Sequence, residues 1–184
     1  MKNLLTAIIS ALVLSGCITY GETTQSQFAS LTNQTCPQKP ERLYVFFENE
    51  PVEFTYEKIG LIEVQGGRYA SLEEVLNELK YKAVTNCANA IIHVKQSSTV
   101  RKTGTTFIDD DEELYGSSIL TGLAVKVDTM LLESQYQGNL STTNFFNQVE
   151  ERKQRESKNT EAEVVGGIVG VVLGIIIVLL AGGA

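Results

Sequence analysis

The chain has 184 residues, a formal net charge of −7, a single histidine, three cysteines and no tryptophan. That acidic balance gives nucleic-acid phosphates nothing to bind, and a lone histidine leaves no partners for a metal site or a catalytic triad. With the apolar ends set aside, about 145 residues remain, room for one modest domain and its linkers.

The amino terminus carries Lys2, an apolar run from Leu4 to Val13, and then Leu14-Ser15-Gly16-Cys17. The run is too short to span a bilayer, so residues 1–16 read as a secretory signal peptide. Cleavage by an ordinary signal peptidase would put bulky Leu14 at the −3 position. A leucine, two small residues and a cysteine form instead the lipobox pattern of bacterial lipoproteins, with Cys17 as the lipidated first residue (palmitate among its acyl groups). Residues 17–41 follow as a tether. Ile18 to Thr35 is rich in Thr, Gln and Ser and holds too little apolar surface to fold alone. Fully extended, such a tether reaches about 80 Å.

A domain is expected over residues 42–132. Arg42 to Phe47 is a β-branched and aromatic run, and Lys58 to Gln65 carries Ile59, Leu61, Ile62 and Val64. Both suit strands. Ser71 followed by Glu74 forms a capping box, and Leu72, Val75, Leu76, Leu79 and Ala83 make one apolar stripe of a helix. Asn86 suits a left-handed closing turn. Ala90 to Val94 and Ile119 to Leu132 read as further strands. The order β-β-α-β-β predicts an α+β fold, a small two-layer sandwich with one helix on a mostly antiparallel sheet. Between the last two strands, Ser97 to Ser118 reads as a solvated loop; its Asp109-Asp110-Asp111-Glu112-Glu113 run lacks the alternating ligands and central glycine of a calcium loop. His93, inside an apolar strand, reads as a core or sheet-face histidine.

Residues 133–163 are expected to form a polar stalk. From Glu150 to Glu163 nearly every side chain is polar or charged, with Glu151–Arg155 and Arg152–Glu156 as i,i+4 partners. Residues 164–181 contain thirteen Val, Ile and Leu and no polar side chain. As a helix they would cover roughly 27 Å, which predicts a transmembrane helix. Gly166, Gly170 and Gly174 fall on one of its faces, a pattern that permits close helix association but is also common in membrane helices generally.

If Cys17 carries lipid, Cys36 and Cys87 remain. In an oxidising compartment they would form a disulfide, and two buried free thiols are the alternative. No phosphate-binding glycine loop, nucleophile elbow or carboxylate pair on a rigid element is present, so the chain is expected not to be an enzyme and to need no cofactor or metal.

Tyr56-Glu57-Lys58-Ile59-Gly60-Leu61-Ile62-Glu63-Val64, Cys87-Ala88-Asn89-Ala90-Ile91-Ile92-His93-Val94 and Gly122-Leu123-Ala124-Val125-Lys126-Val127 together resemble the small α/β domains of Rcs-type envelope-stress lipoproteins and YbjQ-like proteins. The resemblance covers roughly residues 56 to 127. It implies this fold and a periplasmic lipoprotein role, and it transfers no signalling partner. Cys87 stands where that family usually has glycine, which puts the helix-to-strand turn in question.

The expected function is a non-enzymatic envelope lipoprotein whose periplasmic domain binds another envelope protein, as sensor or accessory subunit. The alternative is a structural membrane protein that self-associates through its glycine-rich helix. Ile18 after the lipidated cysteine suggests outer-membrane export, whereas the apolar tail slightly favours the inner membrane.

Overall fold

A computed structural model describes residues 19–20, 22–32, 36–105, 112–128, 130 and 145–158. Six strands build one sheet: β1 (Thr19–Tyr20), β2 (Gln25–Ser30), β3 (Tyr44–Phe47), β4 (Glu57–Gln65), β5 (Ala90–Thr105) and β6 (Glu113–Lys126). Helix α1 spans Leu72–Thr85, and a second helix, α2, covers residues 145–158. The strand order is β1-β5-β6-β4-β2, with β3 also on β5.

The architecture corrects the sequence reading at several points. The sheet is mixed, because β3 runs parallel to β5, and among the described residues two helices, α1 and α2, accompany it rather than one. Among the described residues no helix is long and apolar enough to cross a membrane, so the transmembrane helix is not seen. Residues 164–181, with Gly166, Gly170 and Gly174, lie outside the described residues. Cys17 lies outside them too.

Nor is the amino-terminal stretch a loose tether. β1 pairs with the far end of β5, and β2 adds an edge strand to β4 across six residues. Phe28 explains why a polar segment can join the sheet. It pairs with Ile62 and lays its ring against the core over Gly60, where an added Cβ would fall 2.3 Å from the Phe28 ring. Between the two strands the chain crosses the sheet at Gly67, whose missing side chain matters. A Cβ there would meet the Glu22 carbonyl oxygen at 2.2 Å and the backbone of Thr23.

The capping box forms as expected. The Glu74 backbone N–H donates to Ser71 Oγ at 3.2 Å, and the Ser71 N–H donates to the Glu74 carboxylate at 2.8 Å. Val75, Leu79 and Ala83 are fully buried beneath α1, over Ile62, Val64, Leu120 and Ala124 of the sheet. Leu72, by contrast, is 43% exposed, while Asn77 and Glu78 are buried. The buried stripe is rotated toward that flank because α2 packs there. Phe145 and Val149 of α2 are buried, and the Phe146 ring lies 5.0 Å from that of Tyr81 of α1, tilted by 60°. Asn77 donates to Gln148 at 2.6 Å, and Arg152 reaches the Glu78 carboxylate. The expected solvated stalk is, over residues 145–158, a docked helix.

On the other face of the sheet a second core joins Tyr44, Phe46, Phe54, Ile92, Val125 and Val127. The chain from 48 to 56 covers it, with Phe46 and Phe54 rings 5.2 Å apart. Asn89, buried between β5 and β6, closes this end. Its side chain donates to the Val127 carbonyl at 2.7 Å and accepts from the Val127 N–H at 2.8 Å.

Candidate partner-binding face

Both sheet faces are apolar, but only one is fully covered. β4 shows why. Its burial alternates so that Ile62 and Val64 point to α1 while Leu61 and Glu63 point away. Register then aligns the outward side chains into two rows. Ala29, Leu61 and Leu123 stand opposite one another on β2, β4 and β6, and Gln27, Glu63 and Thr121 form the next row, ending at Lys95 on β5. The Phe46–Phe54 core stops at Leu123. Beyond it, Leu61 remains 52% exposed on an open depression of about 520 Å³.

His93 lies on its rim. The β5–β6 register shifts between Ile92 and Lys95, and His93 adopts φ 54°, a conformation that a residue with a Cβ rarely occupies. The bulge turns His93 out of the strand's alternation and leaves it exposed beside the apolar row. Its neighbours Ile92 and Val94 stay fully buried on either side. Gly122 makes the arrangement fit, since a Cβ there would come within 2.6 Å of Ile91 Cγ2. The histidine is therefore a sheet-face residue rather than a core one.

Chemically this face offers an aliphatic centre, a carboxylate, an imidazole and two neutral hydrogen-bonding side chains. Among the described residues no three of His, Cys, Asp or Glu gather closely enough to hold a metal ion. Of the acidic run, Asp109, Asp110 and Asp111 lie outside the described residues. Glu112 pairs with Lys102 and Glu113 with Arg68.

Cys36 and Cys87 are joined by a disulfide, with Cα atoms 5.3 Å apart. It ties the segment entering β3 to the end of α1. Here the left-handed residue is Cys87, at φ 67°, and not Asn86, whose φ is −106°. The Cys87 N–H donates to the Val84 carbonyl and the Ala88 N–H to that of Ala83, so the turn keeps a glycine-type geometry with a cysteine in it.

The sequence hid the apolar row because Leu61 and Ile62 both read simply as strand hydrophobes. The detectable signal was Leu61 and Glu63 sharing a parity opposite to Ile62 and Val64. Comparison with family models, curated proteins and solved structures finds no match to this chain.

Proposed function

We propose that this chain is a non-enzymatic lipoprotein of the bacterial envelope, held to a membrane by lipid on Cys17, whose periplasmic domain binds another envelope protein. The observation that carries the binding half is the uncovered Ala29–Leu61–Leu123 row. A large aliphatic side chain half exposed at the centre of a sheet face, rimmed by polar groups, has the layout of an interface core. The lipobox and the Cys36–Cys87 bridge support the compartment, since disulfides persist where the milieu is oxidising.

The partner surface complementary to this face is apolar at its centre, with a donor placed to meet Glu63. A photo-crosslinking amino acid at position 61 of the full-length protein, irradiated in intact cells, tests this. One defined envelope protein should be captured from position 61 and not from the exposed position 69. Equal capture at both positions, or none at 61, would remove this face from the account.

A further inference from the structure

Building on the reading of Cys17 as the lipidated residue, we propose that the outer part of the β5–β6 hairpin lies against the phospholipid bilayer through Val100 and Leu114. The first observation is where the chain emerges. β1 is registered Thr19 to Thr105 and Tyr20 to Gly104, antiparallel to β5. Cys17 stands two residues before Thr19, at most about 7 Å of extended chain. Its acyl groups are thus fastened to the outer end of the hairpin.

The second observation is what that part of the hairpin exposes. Val100 and Leu114 are 67% and 63% exposed, among the most accessible large apolar side chains described. Val100 pairs with Gly116, and Leu114 with Lys102, so the two apolar residues are diagonal neighbours on one face. Between them Gly116 has nothing within 4 Å of an added Cβ, leaving the face bare. The opposite face of the same ribbon is occupied by the chain itself. There Thr103 bonds Glu22, Arg101 donates to the Thr23 carbonyl, and the Arg101 guanidinium sits 5.9 Å from the Tyr115 ring centre.

Reach and chemistry agree. At about 3.3 Å per residue, Leu114 lies roughly 10 Å and Val100 roughly 17 Å along the ribbon from the β1 junction. A ribbon lying along the surface brings both into the headgroup layer. Lys102, opposite Leu114, has an aliphatic stem suited to that layer, while its ammonium group is held by Glu112 at 2.6 Å.

The chain's lack of tryptophan makes the test direct. Val100→Trp and Leu114→Trp, each a single-tryptophan protein, are purified with their acyl groups and reconstituted into phosphatidylcholine vesicles with brominated acyl chains. Emission from both should fall at least twofold relative to unbrominated vesicles, while Leu61→Trp on the other sheet face should not change. The amino-terminal peptide of the same samples is weighed by mass spectrometry. Acylated protein with unquenched tryptophan at 100 and 114, or with equal quenching at 61, overturns the inference and spares the reading of Cys17. A wild-type amino terminus without fatty acid overturns both.

Discussion

Two residues carry much of the local account. Cys87 occupies a left-handed turn position that glycine fills at lower cost, and it is held there by the bond to Cys36. The bridge closes a loop of 51 residues, for which chain entropy gives about 4 kcal/mol of stabilisation. Left-handed strain for a residue with a Cβ is about 1–2 kcal/mol. Denaturant melts should therefore show Cys36→Ser/Cys87→Ser losing most of that 4 kcal/mol, with Cys36→Ser/Cys87→Gly more stable than it by about 1 kcal/mol. A glycine variant no better than serine would mean the turn is not strained. Glu74 gives a pH signature. Burial alone would raise its pKa, but the hydrogen bond from the Ser71 backbone and the Arg155 guanidinium outweigh burial and lower it. A lowered folded-state value means stability present above the ordinary carboxylate range and lost as pH falls through the folded value. Stability measured against pH should thus fall less steeply at the acid end for Glu74→Gln than for the wild type. Superimposable profiles would remove Glu74 from the acid response.

At the scale of elements, α2 shows how much was legible and where legibility stopped. The α1 capping box, the Arg152–Glu156 pair and the cores of β3, β4, β5 and β6 follow from spacing, but β5 runs on to Thr105 and β6 already starts at Glu113, where the sequence reads as a loop, and β6 ends at Lys126 rather than Leu132. Docking of α2 does not follow from an apolar pattern. Its inward face runs Phe145, Val149, Arg152 and Glu156, and half of that stripe is charged. Arg152 is 3% exposed and lies between Glu78 and Glu156, with Ser26 and Thr24 of the amino-terminal strap donating to those carboxylates at 2.9 and 2.8 Å. Arg152 Nε is buried without a hydrogen-bond partner among the described residues. A buried pair of this kind stabilises little over a hydrophobic pair, yet removing one member strands the other. Arg152→Ala should cost about 3–5 kcal/mol in equilibrium unfolding, whereas Arg152→Met with Glu78→Leu should stay within about 1 kcal/mol of wild type. A mild Arg152→Ala would mean that α2 does not need the network. The same polar logic hid β2, whose single apolar inward residue, Phe28, fits only because position 60 is glycine.

Across the whole molecule, the amino-terminal segment changes the geometry of anchoring. Read as a tether, it would let the domain range tens of ångströms from the bilayer. As strands β1 and β2 it fixes the sheet two residues from Cys17. With Cys17 acylated as proposed, the open face with Leu61 and the bare hairpin face with Val100 would belong to one body at a set distance from the lipid. Forcing the crossing chain off the sheet should loosen that arrangement, and Gly67 is the place to try, because the atoms an added Cβ meets are backbone. Gly67→Ala should increase hydrogen exchange across residues 19–30 more than across α1; equal protection in both variants would show that the crossing does not need that close approach. The proposed position in the cell rests on one covalent bond, and mass spectrometry of the mature amino-terminal peptide from bacterial membranes reads it directly. The account predicts cleavage between Gly16 and Cys17 and a diacylglyceryl mass on Cys17, with Cys17→Ser left unprocessed. An uncleaved or differently cleaved chain, bearing a free Cys17 thiol, would contradict it.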